Sequence, residues 1–277
     1  MYIYKARTKK VPQSQHARLL SCRGPKDKHS IMPPMSFRIA CLLRLGLPTS
    51  DFCPPSCALC SLRHTDSFGI HPFSCQRNRP HLLFKHDLFI RTLRDLASSA
   101  NVRTQTQQLN IFQQLDEGNN KRMDLLLHGM GQNGNRLYID VTFGDPRGQS
   151  NATYACTQPG FTLQKLAYTK INKYKNLCDR LGVSFLPAAI EIFGNTAAPV
   201  LELINNLSAR ASEISFIPHS ILHAYWLKRF STVIQLGNAR FLLDSASRMS
   251  SSILAPPADV PDTEALLQDL HNAPFNA

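Results

Sequence analysis

Two short segments in the middle of the chain have the composition of β-strands. They read RMDLLLHG and RLYIDVTFGDP, and the loop between them contains an Asn-Gly pair. Because Asn-Gly is the commonest short signal for a hairpin, the two segments predict antiparallel neighbours. With residues 129–135 in the loop, Asp124 lies directly opposite Asp140.

The segment at 161–182 has the periodicity of an amphipathic helix. Its apolar residues recur at the i, i+3, i+4 spacing of one face, and Lys170 interrupts that face. Lys173 and Tyr174 follow at i+3 and i+4, which places all three side chains on the same side. A lysine on a buried side needs an anionic partner, which the two aspartates or a bound phosphate would supply. The alternative is a lysine that extends its ammonium group into solvent from the edge of the apolar face.

The remaining pattern predicts further helices and strands. We expect helices at 36–45, 81–98, 197–214 and 219–248, a weak strand at 109–115 and a strand at 183–193. The predicted buried side of the helix at 81–98 consists of Leu83, Phe84, Leu88, Leu93, Leu96 and Ala97. A strand reached through a helix is typical of the crossover in mixed α/β folds. The predicted fold class is therefore α/β, with a mixed sheet flanked by helices.

The charge of the chain is concentrated near its beginning. The formal net charge is +12, and residues 1–50 hold ten Lys or Arg against the single acid Asp27. Residues 1–35 have little apolar periodicity, so we expect a disordered basic arm that binds phosphates or serves as a nuclear address, or else an unselected leader. Residues 249–277 are expected to be a flexible tail. Since the sequence has no long apolar run and no signal peptide, we expect no membrane partner and an intracellular, nuclear location.

Cysteine and histidine residues cluster between the first helix and the second. Two closely spaced pairs, C-x2-C and H-x3-C, have the spacing of a tetrahedral Zn²⁺ site without a vacant position, which predicts a structural metal. The four candidate ligands are Cys57, Cys60, His71 and Cys75. Cys53 could replace Cys57, and His64 could replace His71; free thiols beside an ordinary histidine are the other interpretation. The predicted domains are 36–80, with a short helix and this cluster, and 81–248, with the α/β fold.

Two opposed aspartates on one hairpin are costly in a purely structural sheet. Directly opposed like charges are destabilising when their Cβ atoms lie about 5 Å apart. A divalent cation between them would turn the repulsion into ligation, and Mg²⁺ suits carboxylates combined with phosphate oxygens. The pattern therefore favours a phosphodiester-cleaving site, unless the register slips or both acids lie in solvent. Glu191 is a candidate third acid or a solvent-facing residue, and His86 is a phosphate or metal contact or a packing residue.

The motifs together resemble a known family. The chain contains C-x2-C and H-x3-C, then K-H-D at a helix start, R-x-D and I-D-V in strands, K-x-x-K-Y on a helix and a strand ending E-x-F-G. In order and spacing this set is similar to the C-terminal part of certain non-LTR retrotransposon polyproteins. That part carries a zinc knuckle and a restriction-enzyme-like endonuclease of the PD-(D/E)xK superfamily. The resemblance covers roughly residues 36–245.

The resemblance implies roles for individual residues. Asp124 and Asp140 would hold Mg²⁺ or Mn²⁺, Lys170 would be the catalytic lysine, and Lys173 and Tyr174 would complete its motif. The implied function is a Mg²⁺-dependent DNA endonuclease, and the alternative is a catalytically inactive, zinc-containing remnant that binds nucleic acid. DNA is the expected partner, with RNA as a second option, and double-strand cutting would suit a dimer. We expect no reverse transcriptase activity, because the polymerase of such polyproteins is not in this chain.

Overall fold

The computed structural model describes residues 31–53, 55–57, 59–60, 66–78, 83–108, 111–112, 115 and 121–249. In chain order the elements are α1 (Pro34–Leu45), α2 (Ile70–Ser74), α3 (Leu83–Ser99), β1 (Thr104–Gln108), β2 (Met123–Leu127), β3 (Leu137–Gly144), α4 (Gln149–Ala155), α5 (Phe161–Arg180), β4 (Ser184–Glu191), α6 (Ala198–Ser215) and α7 (His219–Met249). The predicted arm up to residue 30 and the predicted tail from residue 250 lie outside the described residues.

The four strands form one mixed sheet in the order β1-β2-β3-β4. The pairs β1–β2 and β2–β3 are antiparallel, whereas β4 runs parallel to β3 after the crossover through α5. Leu125 lies opposite Ile139 and Leu127 opposite Leu137, which is the hairpin register predicted from the loop. The ladder ends at Leu125, one residue before the predicted pairing of Asp124 with Asp140.

Of the strand predicted at 109–115, residues 109–110 and 113–114 lie outside the described residues, and the strand that pairs with β2 on this side is β1, which ends at Gln108. Ile111 and Phe112 lie in a turn, and the Phe112 ring is buried, with its centroid 6.0 Å from that of Tyr174. The polar residues of β1 form the edge of the sheet, while the more apolar Phe112 covers part of its surface. Burial of an aromatic side chain outweighed strand propensity here.

The sheet is covered by helices on both faces. One face packs against α3, α6 and α7, and the core on this side includes Leu125, Ile139, Val141, Leu93, Leu96, Leu203, Leu207, Trp226 and Phe230. The other face packs against α5, and its smaller core includes Leu126, Tyr138, Tyr174, Leu177 and Cys178. Asp124 and Asp140 have the same strand parity as Leu126 and Tyr138, so they face α5.

The predicted buried side of α3 is confirmed at Leu88, Leu93, Leu96 and Ala97, and the prediction fails in the first turn. Leu83, expected in the core, is 54% exposed, whereas Lys85 is 1% exposed. Leu83 is the first residue of the helix. Lys85 instead faces α7, where a Cβ on Gly237 would lie 2.7 Å from the Cβ of Lys85.

A buried ion pair joins the segment around α2 to the end of β3. Arg147 donates hydrogen bonds through Nε and Nη2 to the carboxylate of Asp145, at 2.8 to 3.2 Å, and through Nη1 to the carbonyl of Phe68 at 2.7 Å. Its guanidinium also lies 5.0 Å from the ring centroid of Phe193. The arginine therefore fixes the chain just before α2 against the loop that follows β3.

None of the helices in the described part of the chain is both long and apolar enough to cross a bilayer.

Candidate functional site

Four side chains with metal-binding atoms converge beside α2. They are Cys57, Cys60, His71 and Cys75, and their ligand atoms all lie within 4.8 Å of one another. Cys57 and Cys75 are buried, and Cys60 lies at the surface with its Sγ 3.4 Å from Nε2 of His71. Three thiols and one imidazole can bind a metal such as zinc, and with four protein ligands no position remains for a substrate.

The backbone around α2 holds this cluster through Asp66. Its carboxylate accepts hydrogen bonds from the N–H groups of Phe68, Ile70 and His71 at 2.9, 2.8 and 2.6 Å. These bonds satisfy amides at the start of a helix, which have no partner within the helix. Burial lowers the pKa of His71, although the charge of Asp66 acts in the opposite direction, and this favours the neutral imidazole that a metal requires.

The cluster uses Cys57 and not the alternative Cys53. Cys53 is buried among apolar side chains, including Ile39 and Leu242, and its Sγ lies 3.4 Å from Oγ1 of Thr49. His64, the alternative to His71, lies outside the described residues.

Asp124 stands where β2 separates from β3. Beyond Leu125 the ladder between the two strands ends, and the Asp124 carboxylate takes its place by accepting the N–H of Val141 at 2.7 Å through Oδ2. The same oxygen lies 3.0 Å from Nε2 of His86, in the first turn of α3. Burial alone would lower the pKa of His86, but hydrogen bonds and charge from Asp124 and Asp87 raise it overall.

Asp140 faces α5 from the middle of β3 and is 4% exposed. Its Oδ2 lies 2.5 Å from Nζ of Lys170, which is the contact that the apolar face of the helix predicted. Burial raises the pKa of Asp140; the charge of Lys170 works against this effect, and that of Asp124 adds to it. The two carboxylates therefore affect each other electrostatically, and Lys170 compensates the more deeply buried one.

Tyr174 and Lys173 lie at the edge of the same group. Tyr174 is buried, and its hydroxyl donates to the carbonyl of Arg122 at 3.1 Å. Burial and the charges of Asp140 and Asp124 raise its pKa, so the phenol stays neutral. Lys173 is exposed, with its Nζ 4.7 Å from the Tyr174 ring centroid, and its charge lowers the pKa of Asp140.

Glu191 is neither solvent-facing nor close to the two aspartates. It is 8% exposed and accepts a hydrogen bond from Asn195 at 3.1 Å. Burial raises its pKa, and the charge of Asp145 contributes to the rise. Glu191 pairs with Gly144, four residues beyond Asp140 along β3, which is about 13 Å at ~3.3 Å per residue. Both interpretations of this residue from the sequence are therefore wrong.

The sequence did not predict the surroundings of two adjacent residues in α3. His86 contacts Asp124, and Lys85 is buried with its Nζ donating to Oδ1 of Asn238 at 2.9 Å. A signal for Lys85 was present in the Gly237–Asn238 pair, because a glycine inside a long helix is costly and often marks a close approach. For His86 the only signal was the K-H-D tripeptide at the helix start.

Comparisons were made with the models of known protein families and with curated proteins. No family model matches the chain. No curated protein matches it either.

Proposed function

We propose that this chain is a Mg²⁺-dependent DNA endonuclease of the PD-(D/E)xK type, derived from a non-LTR retrotransposon polyprotein. The observation that carries the proposal is the convergence of Asp124, Asp140 and Lys170 on one face of the sheet. The charge of Asp124 raises the pKa of Asp140, and Lys170 contacts Asp140 at 2.5 Å. The mixed sheet flanked by helices supports the proposal at the level of fold class.

The donor set at this position fits a hard divalent cation. Oδ2 of Asp140 is buried, and the ammonium group of Lys170 lies 2.5 Å from it. Burying a carboxylate oxygen is costly unless a charge compensates it. Asp124 is the second carboxylate, and Mg²⁺ commonly binds through two such groups together with water and substrate phosphate.

Each residue would contribute a separate part of the chemistry. Mg²⁺ bound by the two aspartates would polarise the scissile phosphate and lower the pKa of the attacking water. Lys170 would orient this water or offset the negative charge that develops on the phosphoryl oxygens. Lys173, which is exposed next to the pair, would contact the adjacent phosphate, and Tyr174 would hold the start of β2 through the carbonyl of Arg122.

We assign the Cys/His cluster to Zn²⁺ and describe it as a zinc knuckle. Its four ligands close the tetrahedral coordination, so its role is to stabilise the segment around α2. The basic residues 1–50 would bind the phosphate backbone, and a nuclear location would bring the protein to its DNA.

One observation favours a second function. The two acids are already compensated by cationic or hydrogen-bonding side chains, since Lys170 contacts Asp140 and His86 contacts Asp124. This arrangement would also be stable in a protein that binds nucleic acid through its positive charge and does not cut it. The alternative is therefore a zinc-containing, non-catalytic remnant of the same polyprotein.

A plasmid-nicking assay tests the proposal. Supercoiled DNA is incubated with the protein and Mg²⁺ or Mn²⁺, and the nicked and linear products are quantified. We expect cutting by the wild type and a loss of at least about 100-fold in Asp124→Asn, Asp140→Asn and Lys170→Ala, because each removes a charge that acts in the transition state. Lys175→Ala is the matched control, since Lys175 lies on the same helix and pairs with Asp179 in solvent.

The outcomes separate the two functions. Cutting that survives all three substitutions would remove the proposed site. A wild type that shifts DNA in a gel in a salt-dependent manner, but cuts nothing with either metal, would support the non-catalytic function.

A further inference from the structure

The imidazole of His86 lies between two carboxylates. Its Nε2 is 3.0 Å from Oδ2 of Asp124, and its Nδ1 is 3.2 Å from Oδ1 of Asp87. The side chains of His86 and Asp124 are 22% and 15% exposed, whereas that of Asp87 is 67% exposed. The contact with Asp124 is therefore the more sheltered of the two, and the contact with Asp87 lies at the surface.

The position of His86 is fixed by its neighbour in the chain. Lys85 is buried, with its ammonium group held by Asn238 at 2.9 Å and its aliphatic stem packed where Gly237 leaves room. A side chain held in this way fixes the backbone of the first turn of α3. His86 consequently approaches Asp124 from an immobilised segment.

Two donors converge on one oxygen of Asp124. The backbone N–H of Val141 and the ring of His86 both contact Oδ2, at 2.7 and 3.0 Å. Among the described residues, both hydrogen-bonding contacts of this carboxylate are made through Oδ2. The carboxylate cannot rotate without losing both contacts, and Oδ1 is the oxygen that remains for a cation. Groups that orient a metal ligand in this way typically affect metal affinity or activity by ten- to a hundred-fold.

We propose that His86 is a positioning residue that holds the Asp124 carboxylate so that Oδ1 is presented to a divalent cation. This inference rests on the proposed function only in taking DNA cleavage as the reaction that the cation supports. The existence of a cation site at Asp124 can be measured without any DNA. Val141 supplies the second donor through its backbone, so His86 is the one that mutation can remove.

The first measurement is direct metal binding. Mn²⁺ is titrated into the zinc-loaded, full-length protein, and free Mn²⁺ is followed by electron paramagnetic resonance. We expect the dissociation constant to rise by about 10- to 100-fold in His86→Leu, which removes the donor. His86→Gln keeps an N–H donor at a similar reach and should recover most of the affinity. Asp87→Asn changes the exposed partner and is the matched control, with an affinity close to that of the wild type.

The second measurement is the metal dependence of cleavage. In single-turnover nicking, the Mg²⁺ concentration for half-maximal rate should rise in His86→Leu and return in His86→Gln. Affinity for DNA without metal should stay unchanged. A merely structural role would lower the melting temperature of both variants and would not separate leucine from glutamine.

The results distinguish this inference from the proposed function. If the wild type binds Mn²⁺ with the predicted dependence on His86 but cuts no DNA, the positioning role stands and the nuclease proposal fails. If His86→Leu binds Mn²⁺ and responds to Mg²⁺ like the wild type, the positioning role is wrong even where cutting occurs. A wild type that binds no Mn²⁺ at all also overturns the inference.

Discussion

The buried Lys85 makes the stability of this protein depend on pH. Burial lowers its pKa from 10.5 to about 7, although the charge of Asp145 acts in the opposite direction. The ammonium group also lies 4.7 Å from the ring centroid of Phe143 and 5.3 Å from that of Phe73. These contacts and the bond to Asn238 do not replace the hydration that the charged group would have in the unfolded chain.

The size and sign of the effect follow from proton linkage. Between about pH 7 and pH 10.5 the unfolded chain carries a proton on Lys85 that the folded protein does not, so stability rises with pH through this window. At ~1.4 kcal/mol per pH unit, the full difference is about 5 kcal/mol, of which about 2 kcal/mol appears between pH 7 and pH 9. Below pH 7 the folded protein bears the whole cost of the buried charge.

Substituting Lys85→Met should remove this dependence. The change leaves Oδ1 of Asn238 without its donor, which costs about 1–3 kcal/mol at every pH. The test is therefore how the free energy of unfolding changes with pH, and not its value at one pH. The free energy of unfolding is measured in urea at pH 7 and pH 9 for wild type and variant. We expect the stability of the wild type relative to the variant to rise by about 2 kcal/mol over this range.

The control is Lys175→Met, which removes an exposed lysine from a surface ion pair with Asp179. This variant should keep the pH dependence of the wild type, because an exposed lysine is not desolvated by folding. Parallel pH profiles for wild type and Lys85→Met would refute the reasoning and would mean that Lys85 keeps its ordinary pKa.

Three further predictions concern the supports of the two sites. Arg147→Met leaves the carboxylate of Asp145 buried without its partner and should cost about 3–5 kcal/mol in urea unfolding; a loss below about 1 kcal/mol would show that the pair contributes little. Cys60→Ser and Cys75→Ser should each abolish a zinc content of about one equivalent in metal analysis, whereas Cys53→Ser, outside the cluster, should retain it. Gly144→Ala would place a Cβ 2.8 Å from Leu166 and should cost about 1–3 kcal/mol in thermal unfolding; an unchanged melting temperature would show that the ends of the Leu166 and Thr162 side chains shift to make room.

Much of the order of elements could be predicted from local pattern. The bounds predicted for the helix at 161–182 and the strand at 183–193 are close to those of α5 and β4. Both segments combine a regular apolar pattern with glycine or turn residues at their ends. The hairpin register at Leu125, Leu126 and Leu127 followed from the loop length alone. The contact of Lys170 with Asp140 could be predicted because a lysine on the apolar face of a helix needs an anionic partner.

The errors share a different origin. Leu83, expected in the core, is exposed, Glu191 was expected near the acids or in solvent, and Lys85 was not recognised as buried. The surroundings of Lys85 and Glu191 involve elements far away in the chain, which are α7 for Lys85 and the loop after β3 for Glu191. Periodicity describes which side of an element a residue occupies, but it does not say what packs against that side.

The sequence alone determined the local geometry of this protein: the period of the helices, the register of the hairpin, and the paired spacing of the cysteines and His71. Only the tertiary structure decided that His86 reaches Asp124, that Arg147 joins the segment around α2 to the end of β3, and that Lys85 is enclosed beside Asn238. The physical reason is that backbone hydrogen bonds and side-chain period act between near neighbours. Burial and desolvation depend instead on which distant surfaces meet, and no short stretch of sequence contains that information.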